Sequence, residues 1–349
     1  MNKITFCIPS KDNLRYLKNS VKSIRENSII QHDIIVYVDG DNDKTSHWLD
    51  SEGITYLKNE SDSPKGIAYA YNRCIEAATT PIVCMFHADM YMGKGFDIAI
   101  LKYIKPSTVV SGTRIEPPLH PKGLEKIVKD FGMYPEDFTK EKFNDFVDKT
   151  ISENKDIITK GIFAPWAIYK EDITSIGMHD EKYHSYHEDS DIFNRFILNG
   201  YEIIQTWEGL VYHLTCRGGQ FQDGIEQVTT NEAFHKMKKY ALNLYINKWG
   251  TFVQNNEYQY PILSPVYKKS INISNSSTQL EEILKPWFNE GKDIIVNVDG
   301  KTFTQQDFIY IQQLNSIIKD SGEVGEFELG NLKIKINSLD EYQNTLIKL

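Results

Sequence analysis

Short apolar runs alternate with amphipathic helical patterns along the first part of the chain. Runs rich in β-forming residues cover 3–9, 33–39, 54–59 and 81–86. Apolar residues at helical spacing follow the first run, and a helical segment that begins at Gly66 precedes the last. This alternation predicts βαβ units, and therefore an α/β fold with a mainly parallel sheet flanked by helices.

Polar residues follow three of the predicted strands at the point where each strand ends. They occupy the segments Ser10–Asp12, Asp39–Asp43 and His87–Asp89. In parallel sheets, ligands bind outside the carboxyl ends of the strands. We therefore expect one polar edge of the sheet to form the binding site.

The strand–helix alternation breaks at residues 114–160, which include a proline-rich loop. We interpret this segment as an insertion that covers or flanks the site, with a plain surface excursion as the alternative. The main domain is expected to cover 1–265, followed by a Ser/Asn-rich linker at 266–279. Residues 280–349 then predict a small α/β domain of unknown role, in which we find no chemical motif.

Composition and charge narrow the class of protein. A formal net charge of −9 argues against general nucleic-acid binding, because neutralising phosphates requires clustered Lys and Arg. No apolar run is long enough to span a membrane, and the first residues lack a signal-peptide pattern. The 4 cysteines form no CxxC pair, so we expect free thiols and a cytoplasmic protein. No pattern indicates an oligomeric state.

The segment His87–Ala88–Asp89 offers a metal site at the end of a buried strand. Residues two apart on a strand point to the same side, so the imidazole and the carboxylate can contact one divalent cation. Such a cation would hold a diphosphate group. The alternative is that the two polar residues merely begin a solvated loop.

Three acids, Glu188, Asp189 and Asp191, gather at the predicted start of a helix, between His184 and His187 on one side and an apolar helical face on the other. Helix capping explains one of these carboxylates but not all three. A carboxyl that is crowded by others and partly desolvated has a raised pKa and suits a general base.

Two further patterns are weaker when each is taken alone. Asp39, with Asp43 and Thr45 after it, offers oxygen acceptors for ribose hydroxyls or a base edge, although a plain Gly/Asp turn explains the same residues. Gly66 permits close approach of the backbone, and Asn72 lies six residues later on the predicted helix. An ordinary helix with a glycine entry is the alternative there.

Taken in order, these motifs make residues 3–217 resemble glycosyltransferase family 2, whose members have the GT-A fold. The positions that match the family pattern are Pro9, Ser10, Asp39, Gly40, Asp43, Thr45, Gly66, Asn72, Asp89, Glu188, Asp189, Arg195, Gly200, Tyr201 and His213. The chain departs from the pattern where Val38 replaces the first acid of the strand-end turn. It departs again where His87 replaces the first acid of the DxD motif.

The resemblance implies transfer of a sugar from a nucleotide-diphosphate donor, with a UDP-sugar favoured, to a glycan or other acceptor hydroxyl, with inversion. Asp189 would be the general base, and Glu188 would orient the acceptor or the base. Donor-binding residues would be Pro9, Ser10, Asp12, Asp39, Gly66, Asn72 and Ala88. Asp89, His213 and His87 would hold a divalent cation, with Mn²⁺ favoured over Mg²⁺ because imidazole is a softer ligand. Trp166 and Asp191 would contact the sugar or the acceptor, with core packing as the alternative for Trp166.

Three other functions compete with this hypothesis. A non-catalytic sugar-nucleotide or glycan-binding module would keep the fold, and the loss of the first DxD acid favours it. A nucleotidyltransferase would need a Gly-rich loop with Lys or Arg near the N-terminus, and "PSKDNLRY" lacks one. A dinucleotide-dependent oxidoreductase would need GxGxxG after the first strand, which is absent. The donor base, the sugar and the acceptor stay open.

Overall fold

The computed structural model describes residues 2–215 continuously and shorter stretches beyond them. Those stretches are 221–222, 225–226, 232–249, 253–263, 269–273, 281, 284–285, 294–298, 301–303, 307–309, 311–312, 325–329 and 332–336. The chain divides into two units. One comprises Met1–Ala241 with Asn255–Pro261, and the other comprises Leu242–Gln254 with Ile262–Leu349. The predicted domain limits at 265 and 279 stay a prediction.

Strands and helices alternate along the first unit as the apolar pattern predicts. The strands are β1 Ile4–Lys11, β2 Asp33–Gly40, β3 Thr55–Lys58, β4 Ile82–Met85, β5 Met90–Met92, β6 Thr108–Glu116, β7 Lys126–Val128, β8 Ile158–Thr159, β9 Trp166–Tyr169, β10 Glu202–His213, β11 Phe221–Gln222 and β12 Ile225–Glu226. The helices are α1 Leu14–Asn27, α2 Thr45–Ser51, α3 Ile67–Ala77, α4 Phe96–Tyr103, α5 Lys140–Glu153, α6 Lys170–Ser175 and α7 Glu188–Leu198, and α8 Glu232–Trp249 follows them.

Ten strands form one mixed, mainly parallel sheet with the order β3-β2-β1-β4-β9-β6-β10-β5, to which β7 and β8 add at β6 and β10. Strands β1, β2, β3 and β4 run parallel to one another. Strand β9 is antiparallel to both β4 and β6, and β10 is parallel to β6. Strands β6 and β10 therefore run in the same direction as β1 and β4. The predicted α/β class with a mainly parallel sheet is confirmed.

The burial pattern explains why the central strands read as continuous apolar runs. All four residues of the central strand β4 are buried, as in a sheet that is covered on both faces. Helix α1 instead buries one stripe, with Leu17, Val21 and Ile24 at helical spacing in the core. Helices with one apolar face and strands with two thus build a layered core on the sheet.

Residues 114–160 lie in the first unit and contribute elements to its sheet and core. The end of β6 and the short strands β7 and β8 are hydrogen-bonded parts of the large sheet. Helix α5 buries Phe143 and Val147 in a second apolar cluster with Leu210 and Tyr212 of β10. That the segment covers or flanks the site stays a prediction.

The second unit contains further β structure. Strands β13 Lys269–Ile273, β14 Ile294–Val298 and β15 Lys301–Phe303 form one sheet, and β16 Gly325–Leu329 pairs with β17 Leu332–Ile336. Strands β14 to β17 lie in the range 280–349, for which a small α/β domain is predicted. Strand β13 lies inside the range 266–279, for which a linker is predicted.

Two expectations from composition concern membrane helices and cysteines. No helix in the described part of the chain has both the length and the hydropathy that crossing a membrane requires. Cys7, Cys74 and Cys84 are buried free thiols inside the core, as their place in apolar runs predicts. Cys216 lies outside the described residues.

Candidate active site

Chemically active side chains gather at the edge where the parallel strands end. Strands β1, β2, β4, β6 and β10 run in one direction, so their carboxyl ends meet at this edge. The polar residues at or just beyond those ends are Asp12, Asp39, His87, Asp89, Glu116 and His213. The structure therefore places five of the predicted site residues on the expected edge, together with Glu116, which the sequence analysis does not single out.

Three of these residues can hold a metal ion. His87, Asp89 and His213 each offer one ligand atom, and the three atoms lie within 4.8 Å of one another. Asp89 and His213 are buried, with 7% and 6% exposure. Two imidazoles and one carboxylate form a donor set that suits a divalent transition metal. The ligand atoms of His87 and Asp89 do lie close together, but the two residues stand in a turn after β4 and not in the strand on which that expectation is based.

The sheet register explains why Asp89 and His213 meet although they are far apart in sequence. Strand β10 lies between β6 and β5. His213 is paired with Met90, the residue that follows Asp89, and the amide of Leu214 donates a 2.9 Å hydrogen bond to the carbonyl of Asp89. The short strand β5 thus returns the chain beside β10 immediately after the segment His87–Asp89.

Each ring nitrogen of His213 faces a different carboxylate. Nδ1 lies 2.9 Å from Oε1 of Glu116, and Nε2 lies 3.5 Å from Oδ1 of Asp89. Burial alone would lower the pKa of His213, but the charge of Asp89 and these two contacts raise it to about 9. The pair of carboxylates therefore favours positive charge at this ring, from a proton or from a metal ion. Burial and the nearby His213 lower the pKa of His87 to about 4, so its imidazole is neutral at pH 7.

A buried group of charged residues lies behind His213. Glu116 accepts from Lys126 Nζ at 2.7 Å and from Arg114 at 3.3 Å, and Arg114 also contacts Glu125 at 3.3 Å. Burial alone would raise the pKa of Glu116, but the hydrogen bond with His213 and the charge of Arg114 hold it well below its usual range. The "TRIE" pattern could have indicated these residues, since Arg114 and Glu116 share one side of a strand end. The break in the strand–helix alternation instead predicts an insertion from 114 onwards.

Helix α7 presents the paired acids Glu188 and Asp189 in its first turn. The N-cap residue is His187, whose side chain makes no capping hydrogen bond. Burial and the charge of Asp189 raise the pKa of Glu188. Burial also raises the pKa of Asp189, to about 6, although the Arg114 guanidinium works in the opposite direction. Oε2 of Glu188 has no hydrogen-bond partner among the described residues. The arrangement suits a shared proton and a general base.

The loop before α7 holds an unusual backbone conformation. Tyr186 and His187 both have positive φ, 67° and 63°, a region that non-glycine residues rarely adopt. The preceding part of the loop is anchored to α3, because the amide of Ile67 donates a 2.8 Å hydrogen bond to the carbonyl of His184. Strain of this kind persists only where surrounding contacts impose it. The start of α3 therefore helps to fix the position of the paired acids. The side chains of His184 and His187 are assigned no role.

Asp39 is the hydrogen-bonding centre of the predicted nucleoside region. Its Oδ1 accepts from Asn59 Nδ2 at 3.0 Å and from the amide of Lys65 at 2.8 Å, and its Oδ2 accepts from the amide of Gly66 at 2.8 Å. Asp12 accepts two bonds from the backbone and side chain of Asn42. Both carboxylates are thus held in place at the strand ends. Contact with a nucleoside stays a prediction.

The other predicted donor residues differ in what they contact. Ser10 is buried, and its Oγ has no hydrogen-bond partner in the described part of the chain. Ala88 is buried and Pro9 half-buried at the same edge. Asn72 is also buried, but its amide oxygen accepts from the amide of His179 and its Nδ2 donates to the carbonyl of the same residue. These bonds tie α3 to a neighbouring loop and argue against direct contact between Asn72 and a donor.

The two residues predicted to face the sugar or acceptor lie inside the protein. Trp166 is fully buried, with its ring packed edge-on against Phe193 and Phe196. Asp191 is also fully buried, and its Oδ2 accepts from Arg195 Nε at 2.9 Å. The core alternative therefore describes Trp166, because its strand β9 lies in the middle of the sheet. Full burial likewise argues against contact between Asp191 and an acceptor.

Comparison with solved structures finds distant likenesses. GalNAc-T7, solved with UDP, GalNAc and Mn²⁺, is 10% identical with a TM-score of 0.48, over 71% of this chain and 50% of that one. A mannosyltransferase from Pyrobaculum calidifontis, PcManGT, solved with GDP-Man and Mn²⁺, is 16% identical with a TM-score of 0.43, over 62% and 58%. Residues 1–349 of TarS from S. aureus are 10% identical with a TM-score of 0.44, over 70% and 72%. This chain thus spans half the length of the GalNAc-T7 chain. The ligands belong to those proteins.

Comparison with sequence families gives a more direct result. No curated protein matches the chain significantly. Residues 5–153, however, match the family model described as Glycosyl transferase family 2. The matched range contains the strand ends at Asp39 and His87–Asp89, which carry part of the resemblance noted in the sequence. The resemblance is therefore confirmed over residues 5–153, which match the model of glycosyl transferase family 2.

Proposed function

We propose that this protein transfers a sugar from a nucleotide-diphosphate sugar to an acceptor hydroxyl, in a reaction that depends on a divalent cation. A UDP-sugar is the favoured donor, Mn²⁺ the favoured cation and inversion the favoured stereochemical course. The match of residues 5–153 to the model of glycosyl transferase family 2 supports sugar transfer. The nucleotide, the cation and the stereochemical course are proposed in addition to sugar transfer itself.

One observation carries the proposal. His87, Asp89 and His213 offer three ligand atoms within 4.8 Å of one another at the carboxyl edge of the sheet, where Asp39 also lies. An exposed acidic cluster would be a weak argument, because such clusters are common. Here two of the three residues are buried, and the sheet register holds them together. Buried ligands brought together by separate strand ends favour a built metal site.

The chemistry of the donor set favours Mn²⁺ over Mg²⁺. Mg²⁺ prefers oxygen ligands and keeps several waters, whereas imidazole nitrogen suits softer divalent metals. Asp89 supplies the one carboxylate of the set, and His87 is neutral at pH 7 and therefore able to coordinate. When bound, the cation would supply positive charge against a diphosphate leaving group.

Asp39 and Asp12 would hold the nucleoside. Asp39 already accepts from the amides of Lys65 and Gly66, so its carboxylate is fixed in orientation while a lone pair on Oδ2 is free for a hydroxyl or base N–H. The buried Oγ of Ser10 and the backbone near Pro9 and Ala88 would complete the donor surface. A fixed acceptor binds a ligand at lower entropic cost than a mobile one.

Asp189 would remove the proton from the acceptor hydroxyl as that oxygen attacks the anomeric carbon. In the same step the bond from the anomeric carbon to the diphosphate oxygen breaks, and the nucleoside diphosphate leaves. Burial keeps the pKa of Asp189 near 6, so the carboxylate is charged at pH 7 and yet a stronger base than a solvated one. Glu188, whose pKa burial raises above neutrality, would donate a hydrogen bond that orients the acceptor or Asp189.

A calorimetric screen of UDP-, GDP- and dTDP-sugars, with and without Mn²⁺, tests the donor part of this proposal. We expect a UDP-sugar to bind in the presence of Mn²⁺ and to bind more weakly without it. The Asp89→Asn variant should lose the increase in donor affinity that Mn²⁺ produces in wild type. Absence of binding by every donor would contradict the proposal. Binding without any turnover would instead favour the non-catalytic module.

A further inference from the structure

We propose that Glu116 is a positioning residue for the metal ligand His213, which it orients so that Nε2 is the nitrogen presented to the cation. The inference rests on the proposed metal site and adds a residue to it. Glu116 does not offer a ligand atom to the cluster of His87, Asp89 and His213. Its contribution would be made through the imidazole ring.

The geometry of the His213 ring carries the inference. Glu116 Oε1 lies 2.9 Å from Nδ1, while Asp89 Oδ1 lies 3.5 Å from Nε2 on the opposite side of the ring. A carboxylate accepts hydrogen bonds only, so Nδ1 must carry the proton of this bond. Nε2 is then the nitrogen with a free lone pair in the neutral ring. A carboxylate that fixes the tautomer of a metal-binding histidine also raises its basicity.

The carboxylate of Glu116 is itself held in one position, so it can orient the ring of His213. Its Oε2 accepts from Lys126 at 2.7 Å, and the side chain is only 3% exposed. Arg114, 7% exposed, contacts Oε1 at 3.3 Å. Both neighbours therefore favour the charged carboxylate and leave it little freedom to rotate. Strand β6 places it beside the end of β10, where His213 stands.

A purely structural role is the competing explanation, since Glu116 also neutralises two buried cations. Burying charged groups costs several kcal/mol per ion in proteins, which only good pairing offsets. Glu125 offers the comparison that separates the two roles. It is buried to a similar degree and contacts the same Arg114 at 3.3 Å, and no contact with His213 is among its described interactions. Removing its charge changes the cluster without touching the metal ligand.

The test measures Mn²⁺ binding to the full chain without nucleotide, from the electron paramagnetic resonance signal of free Mn²⁺. We expect Glu116→Gln to weaken binding about 10- to 100-fold, the usual effect of losing such a partner. Glu125→Gln, the matched control, should change it by less than about 3-fold. Equal effects of the two variants, or none from Glu116→Gln, would overturn the inference.

A second measurement needs no variant. In the Zn²⁺-loaded wild-type chain, ¹⁵N NMR of labelled histidine should show His213 protonated at Nδ1 and metal-bound at Nε2. Metal bound at Nδ1 would overturn the inference even if Glu116→Gln failed to fold.

The proposed metal site and this inference fail in different ways. If wild type binds no Mn²⁺, both are overturned. If Asp89→Asn loses Mn²⁺ binding while Glu116→Gln keeps it, the metal site stands and only the role of Glu116 is overturned.

Discussion

The backbone of Gly66 lies directly against the backbone of His184. A Cβ atom added at Gly66 would stand 2.5 Å from Cα of His184 and collide with its carbonyl oxygen. The same carbonyl accepts the amide of Ile67. Because Asp39 accepts the amide of Gly66, one line of contacts runs from the predicted nucleoside residue, through the start of α3, to the loop that leads into Glu188 and Asp189.

Gly66→Ala should therefore destabilise the protein more than its backbone conformation alone requires. Gly66 has φ +89° and ψ 170°, a region essentially restricted to glycine, and Gly177, with φ +86° and no atom within 4 Å of an added Cβ, is the control for positive φ without a close contact. Gly177→Ala should lower the free energy of unfolding by about 1–2 kcal/mol, the cost of left-handed backbone. Gly66→Ala should lower the free energy of unfolding further, as measured by urea unfolding. It should also reduce the rate of sugar transfer, as measured by turnover. Equal losses in the two variants would contradict the close contact.

Asp39→Asn should weaken both the local structure and nucleotide binding. Asparagine offers one acceptor oxygen in place of two, so one of the amides of Lys65 and Gly66 loses its partner, at a cost of about 1–3 kcal/mol. Asp41→Asn is the control, because Asp41 also accepts several bonds, from Ser46 and Lys58. Calorimetry with UDP and Mn²⁺ should show lost affinity for Asp39→Asn only. Equal affinities for the two variants would remove Asp39 from the nucleoside site.

Trp166→Leu should lower stability and leave the kinetics of the folded enzyme unchanged. The ring is fully buried among Phe193 and Phe196, so shrinking it leaves a cavity that costs about 2–4 kcal/mol. The Michaelis constants for donor and acceptor should stay close to wild type at a temperature where the variant is folded. A large rise in either constant, without loss of fold, would show that Trp166 contributes to binding the sugar or the acceptor.

The paired acids predict an unusual dependence of stability on pH. Burial raises the folded-state pKa of Glu188 and Asp189 above their unfolded values, so the folded state binds more protons as the carboxyls titrate. Stability contributed by these groups is therefore present at low pH and falls as pH rises from about 4 through the raised values. Asp189→Asn and Glu188→Gln should raise the melting temperature at pH 8 relative to wild type and have little effect at pH 4.

Thermal unfolding followed by circular dichroism at both pH values checks this prediction. The control is Asp191→Asn, on the same helix, whose carboxylate is paired with Arg195. That variant should be less stable than wild type at pH 8. Lower stability of Asp189→Asn at pH 8 would show that its carboxylate is stabilised in the fold, contrary to the raised pKa.

Much of the fold and part of the site follow from local patterns. The apolar runs predict β1, β2 and β4 within a residue or two, because buried strands must be apolar whatever their neighbours are. Strand periodicity predicts that His87 and Asp89 share one side, but both lie beyond β4, in a turn where the amide of Met90 donates to the carbonyl of His87. The metal cluster also needs His213, and its place follows from the sheet register, which only the family pattern indicated in advance.

The errors come from contacts between segments far apart in sequence. Trp166 and Asp191 face the core because of the elements that pack on them, and no local pattern distinguishes a buried Trp or Asp from an exposed one. Glu116 and Arg114 are missed because a charged pair before a proline resembles a loop. Their partners come from outside this pattern, namely Glu125, Lys126 and, on the neighbouring strand β10, His213.

The most direct test of the central claim is Mn²⁺-dependent turnover of a UDP-sugar by wild type and by Asp189→Asn, with UDP release measured in the presence of acceptor glycans. The proposed mechanism predicts turnover by wild type, and a loss of about 100-fold or more in Asp189→Asn while UDP binding is retained, because a general base contributes that much. Undiminished turnover in Asp189→Asn would contradict the claim.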